Sequence, residues 1–283
     1  MKDYAYKIDL ESPTAPARLL RMVGRDKAVL EIGCASGSQT RVMHDQLGCR
    51  VTAVEFDPAS AALAASFCEA LHVGSIEDID LDKVLGSRRF DVITFGDVLE
   101  HLRSPRAAIE RVRPYLTDSG YLVASIPNFT HASIAFEICH GRFDYRQSGL
   151  LDDSHIRFFT KRSIVQMFED AGYLVVNLER AELRPEHTEF ETRASNIEQQ
   201  RLLDYIYSQN QESLTYQFVV KAVPASPSPG SPLRATAQLA SERITDLEAK
   251  LGARDQRIKR LEADLAWIDS RPLARLYRYL FKR

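Results

Sequence analysis

Two sets of residues in this 283-residue chain have types and spacing that could do chemistry. The first is Glu31-Ile32-Gly33-Cys34-Ala35-Ser36-Gly37, followed by Glu55 22 residues after Gly33. Small residues at the carboxyl end of a strand let a ligand approach the backbone. An acid about 20 residues further on can accept hydrogen bonds from both hydroxyls of a ribose. A carboxylate at a buried strand end is costly without partners, so Glu55 points to a bound nucleoside. The second set is acidic and imidazole-bearing. Asp97, Glu100 and His101 stand at i, i+3, i+4 and share one face if a helix starts there. Two carboxylates and an imidazole could hold a hard or borderline divalent ion. The plainer reading makes Asp97 a helix cap and packs His101 under a substrate loop, and no metal ligand is assigned.

The elements that must position these groups alternate. Ala28–Gly33, Arg50–Glu55, Phe90–Phe95 and Tyr121–Ile126 read as short buried strands. Between them lie helical patterns: one stops at Gly48, one opens at Asp57-Pro58, and one runs from Ser104-Pro105 to about Tyr115. Thr117-Asp118-Ser119-Gly120 reads as a turn. Tyr173–Leu178 and Thr215–Ala222 look like a closing antiparallel pair with a polar helical insertion between them. This order predicts an α/β, Rossmann-like, doubly wound, seven-stranded and mostly parallel sheet with an antiparallel edge strand.

The small-residue turn resembles motif I of the class I S-adenosylmethionine-dependent methyltransferases. The likeness continues in Val54-Glu55-Phe56-Asp57, in Val73–Asp78, in Phe90–Leu102, and in Leu116 with Gly120–Val123. It spans roughly residues 25–222. Two positions depart from the family pattern: Ala35 replaces a frequent middle glycine, and Ser75 replaces a frequent acid beside the adenine amino group. The resemblance implies S-adenosyl-L-methionine as cofactor. Glu31, Gly33, Ala35 and Gly37 would then lie at its amino-acid end. Glu55 would hold the ribose with Phe56 beside the adenine, Ser75 and Ile76 would bracket the base edge, and Phe95 and Asp97 would close the side near the sulfonium. For Phe56, Ile76 and Phe95, ordinary core packing is the competing expectation.

Methyl transfer needs the nucleophile aligned with the methyl group, and an aliphatic hydroxyl needs a base or a metal to assist it. The segments Gly141–Tyr145 and Leu151–Thr160 carry aromatics, two arginines, acids and a histidine without apolar periodicity, as a lid over a polar substrate would. His155 is assigned as base or orienter, His101 second and His131 third; Thr160 should cap a helix to Ala171. The stretch His155–Thr160 resembles members associated with cell-surface glycan biosynthesis. That resemblance implies O-methylation of a sugar hydroxyl of a glycan or glycan precursor. The alternatives are a phenolic or quinone-type small molecule, with metal dependence through Asp97, Glu100 and His101, and a non-catalytic scaffold.

Composition bounds the rest. With 45% apolar residues the chain can bury a core, and Lys+Arg 37 against Asp+Glu 39 gives no push toward nucleic acid. The four cysteines form no CxxC pair, which suits a reducing compartment. No apolar run of about 18 residues occurs, so a cytoplasmic protein is expected. Residues 1–221 form the expected methyltransferase domain and 222–235, with four prolines, a linker. Residues 236–270 carry heptads with Ile244, Leu251, Ile258 and Leu265 at a positions and Leu247, Arg254, Leu261 and Ile268 at d. Arg243 with Glu248, Lys250 with Asp255 and Arg257 with Glu262 are complementary across a parallel homodimer. Residues 271–283 form a basic amphipathic tail suited to the inner face of an anionic membrane or to an acidic partner.

Overall fold

The computed structural model describes residues 7–225. The expected coiled coil and basic tail lie outside them. In chain order the elements are α1 (Ala15–Val23), β1 (Ala28–Ile32), α2 (Ser38–Asp45), β2 (Arg50–Glu55), α3 (Pro58–Ala64), β3 (Ala70–Val73), α4 (Leu81–Leu85), β4 (Phe90–Gly96), α5 (Pro105–Val112), β5 (Leu116–Pro127), α6 (Ala132–Cys139), α7 (Lys161–Asp170), β6 (Tyr173–Glu182), α8 (Ile197–Gln209) and β7 (Thr215–Pro224). The strands form one seven-stranded sheet in the order β3-β2-β1-β4-β5-β7-β6. Pairings from β3 through β5 are parallel, and β7 runs antiparallel to both β5 and β6.

Side-chain alternation along each strand sends residues to two apolar layers. Leu30, Ile93, Phe95, Leu122, Ala124, Phe218 and Val220 pack with α4, α5 and α7 on one face. Val29, Val51, Val92, Val123 and Val219 pack with α1 and α2 on the other. Strands buried on both faces read as continuous apolar runs, which is why they were legible in the sequence.

The local chemistry holds in detail. Asp57 Oδ2 accepts from the Ser60 backbone N–H at 2.9 Å, with Pro58 at the first helical position. Thr160 caps α7 through a reciprocal bond with Ser163. Two boundaries differ from expectation. The stretch Thr117–Gly120 is not a free turn: β5 runs through it from Leu116, with a register shift opposite Phe90 and Val92. The expected linker starts too early, because β7 continues through Ala222 to Pro224. The expected antiparallel pair does close that edge of the sheet, with β7 between β5 and β6.

Candidate functional site

The turn after β1 is built for close approach. Gly33 and Gly37 have φ of +73° and +87°, and a Cβ on Gly33 would lie 2.5 Å from Val98 Cγ2. On Gly37 it would lie 2.9 Å from the Ala64 backbone. Ala35 takes the left-handed region without being glycine, at φ +46°. Glu55 ends β2, and its carboxylate accepts the Ala35 N–H at 2.8 Å and the Asp57 N–H at 2.9 Å. Those bonds satisfy a carboxylate that is only 3% exposed, and its remaining lone pairs are open to a diol.

Gly33, Ala35 and Glu55 line one end of a cavity of about 1010 Å³ at the carboxyl rim of the sheet. Glu31, Gly33, Ala35, Glu55, Phe56, Ser75, Ile76, Asp97, His101 and His155 all line it. Phe56 is 75% exposed, a large ring held in solvent at the rim, so core packing does not explain it. Gly37, expected at the amino-acid end, immediately precedes α2 and does not line the cavity.

Phe95 is a correction. It is fully buried with Leu99, Ile109 and Phe168, because strand alternation turns it into the α5 layer; Gly96 takes the cavity position. His131 is another: it is buried with Nδ1 on Ser133 Oγ and Nε2 on the Leu183 carbonyl, away from the cavity.

The acidic-imidazole set is also rearranged. Leu99–His101 is a single 3-10 turn, so Asp97, Glu100 and His101 do not share a helix face. Asp97 sits at φ +55°, and its Oδ1 accepts from Ser125 Oγ at 2.9 Å and Gln217 Nε2 at 2.6 Å. His155, from the segment before α7, takes its place. Its Nε2 lies 4.0 Å from Glu100 Oε1, and its ring meets His101 edge-on at 4.8 Å. The segment is docked by main chain: the Ile156 and Arg157 N–H groups both donate to the Glu100 carbonyl at 3.0 Å.

Burial sets the electrostatics. It pushes the Glu31 carboxyl up to about 7, against a hydrogen bond from Thr40, with Glu55 adding repulsion. Burial likewise lifts Asp97 to about 6 despite the bonds from Ser125 and Gln217. It raises Glu100 well above the carboxylate range, with Asp97 and Asp152 adding like charge.

Tyr216 and Gln217 of β7, Leu150, and Gln39 also line the cavity and were not singled out in the sequence. A glutamine between Tyr216 and the apolar run Phe218–Val220 was the available signal for Gln217.

The family described as "Methyltransferase domain" matches residues 6–178. The chain belongs to this methyltransferase family. S-adenosylmethionine is its cofactor, and the glycine cradle, the exposed Phe56 ring and the diol-ready Glu55 fit that molecule.

Curated proteins similar to this methyltransferase include the ubiquinone biosynthesis O-methyltransferase of Glaesserella parasuis serovar 5 (strain SH0165), 30% identical over 111 residues. That match covers 37% of this chain and 47% of that protein. The protein of the same name from Xanthomonas campestris pv. campestris (strain B100) is 30% identical over 146 residues, 46% of this chain and 59% of that one. The chain thus spans about half the length of the curated relatives it matches. The fold is similar to S-adenosylmethionine-dependent methyltransferases from Thermotoga maritima and Mesorhizobium loti. The first is 13% identical with TM-score 0.51, covering 75% of this chain and 88% of that one. The second is 15% identical with TM-score 0.50, covering 76% and 99%.

Proposed function

We propose that the chain methylates the hydroxyl oxygen of an uncharged small-molecule acceptor, with His155 and His101 as its catalytic pair. Bound at the β1–β2 end of the cavity, S-adenosylmethionine supplies an electrophilic methyl group on a sulfonium that departs as a neutral thioether. Glu55 grips the ribose diol, Phe56 covers the adenine, Ser75 and Ile76 border the base, and Glu31 faces the amino-acid end. The acceptor oxygen must lose its proton as its bond to the methyl carbon forms. At neutral pH an aliphatic hydroxyl does this poorly unaided, so groups bearing on that proton or its charge are required. His155 and His101, with Glu100 behind them, are the groups assigned to that task.

The charge composition of the cavity carries the reading. Glu31, Glu55, Asp57, Glu77, Asp97 and Glu100 line it, and no lysine or arginine does among the described residues. A cationic donor is welcome among these acids, and among the described residues no lining lysine or arginine is there to hold a phosphate-bearing acceptor. Two neutral acceptor classes fit. The names of the curated relatives support a phenolic or quinone-type hydroxyl. The outward-facing rings of Phe143, Tyr145 and Phe158 on the segment before α7 support a sugar hydroxyl of a glycan or its precursor, since sugar C–H faces stack on aromatic rings.

The test is transfer of a labelled methyl group from S-adenosylmethionine to a catechol, a neutral glycoside and a nucleotide sugar. Transfer to either neutral class is expected; transfer confined to the nucleotide sugar would overturn the charge argument. We further propose a cytoplasmic location, a parallel homodimer through residues 236–270 and an anionic-surface contact through 271–283. Among the described residues no helix is long and apolar enough to cross a membrane.

A further inference from the structure

Glu100 is the anomaly of the site. It is 1% exposed, it lines the cavity, and neither of its carboxylate oxygens has a hydrogen-bond partner. Leaving both oxygens of a buried carboxylate unsatisfied is costly, and a group in that state needs an explanation. No lysine or arginine lines the cavity among the described residues to offset it, and buried Asp152 lies close enough to add like charge. What does approach Glu100 is imidazole. Its carboxylate and one nitrogen each from His101 and His155 all lie within 4.8 Å of one another.

The two imidazoles share an orientation. His101 Nδ1 lies 3.2 Å from the Ser154 carbonyl, and His155 Nδ1 lies 3.2 Å from the Leu150 carbonyl. A carbonyl can only accept, so each Nδ1 carries the proton and each lone pair sits on Nε2. That outer hydrogen bond to a backbone carbonyl is the arrangement that fixes tautomer and ring direction in metal-ligating histidines.

We propose that Glu100, His101 and His155 form a divalent-cation site that takes a borderline transition ion, with open coordination positions toward the acceptor. Two imidazole nitrogens and one carboxylate oxygen favour zinc, manganese, iron, cobalt or nickel over calcium and magnesium, which prefer all-oxygen sets. Bonds of about 2.0–2.2 Å put neighbouring ligand atoms roughly 3 Å apart, so the 4.0 Å gap between His155 Nε2 and Glu100 Oε1 closes by about 1 Å on binding. The ion supplies the partner that the Glu100 carboxylate oxygens lack and clasps the segment before α7 to the 99–101 turn. An acceptor hydroxyl bound at an open position releases its proton to bulk water more readily, because the cation stabilises the oxyanion left behind. This inference deepens the methyltransferase reading and rests on it only for that last step.

The experiment uses the full chain, stripped with chelator and titrated with cobalt(II) and zinc chloride. Cobalt binding is followed by its visible absorption and zinc binding by calorimetry, with S-adenosylhomocysteine binding measured separately on every sample. One ion per chain is expected, weakened at least tenfold in H155A and in E100Q but not in the surface control H44A. The neutral amide in E100Q keeps the volume; H101A stands in should that variant fail to bind S-adenosylhomocysteine. Absence of a stoichiometric site, or binding unchanged by H155A and E100Q, overturns the proposal even where S-adenosylhomocysteine still binds. Loss of S-adenosylhomocysteine binding in the unmodified chain would instead sink the methyltransferase reading and leave the ion measurement to stand by itself.

Discussion

The carboxylate of Glu55 accepts the backbone N–H of Ala35 at 2.8 Å, so the end of β2 is tied directly to the turn after β1. One side chain thus shapes the turn and, as proposed above, accepts from the ribose diol. E55A should weaken S-adenosylhomocysteine binding by about 10- to 100-fold, the loss of charged hydrogen bonds worth about 1.5–3 kcal/mol. Calorimetry checks the affinity, and a far-ultraviolet spectrum confirms the fold. An E55A protein that binds like the parent would remove Glu55 from the site.

Phe56 and Phe95 should separate cleanly. F95A opens a hole in the α5 layer and should cost about 3–5 kcal/mol of stability. F56A, at an exposed ring, should leave the melting temperature nearly unchanged and weaken cofactor binding. Denaturant unfolding paired with calorimetry distinguishes them.

Ala35 holds a left-handed conformation that costs a non-glycine residue about 1 kcal/mol. A35G should therefore keep or raise stability, with cofactor affinity unharmed. A drop in stability beyond that amount would show that the Ala35 methyl group packs usefully.

Glu31 gives the cofactor site a pH dependence. Burial raises its carboxyl from 4.5 to about 7, so the empty fold loses stability as the pH climbs from 4.5 through 7. Ionised Glu31 attracts the ammonium group at the amino-acid end, so affinity for S-adenosylmethionine should rise through about pH 7. E31Q should flatten that profile; calorimetry at pH 6, 7 and 8 is the check.

Glu212 has the opposite sign. It bridges Lys161 and Arg180 at 2.8 and 2.7 Å, and the bond from Arg180 leads in lowering its carboxyl from 4.5 to about 2. The stability it contributes is present above pH 4.5 and lost as the pH falls through 2. Solvent screens the partners, 42% and 40% exposed, so E212Q should destabilise by about 1–2 kcal/mol at pH 7. The difference between E212Q and the parent should vanish near pH 2 in thermal melts.

The sheet and the donor end were legible because they obey local rules: apolar runs for doubly buried strands, small residues for a tight turn, Asp57-Pro58 for a helix start. Phe95 was misassigned because a strand position alone does not say which face a ring takes; its register against Ile32 and Ala124 does. The acceptor end resisted sequence reading for a different reason. Glu100 and His155 are 55 residues apart and meet only when the segment before α7 folds back onto the 3-10 turn. Spacing suggested Asp97 instead, but its left-handed backbone hands that carboxylate to Ser125 and Gln217.

The placement of β7 inside the sheet has a bearing on biogenesis. A nascent chain leaving the ribosome carries β5 and β6 with no partner between them until Thr215–Pro224 follows. Two open strand rims then wait together, and any stalled or prematurely terminated product lacking that decapeptide is a substrate for chaperones or for clumping with its own kind.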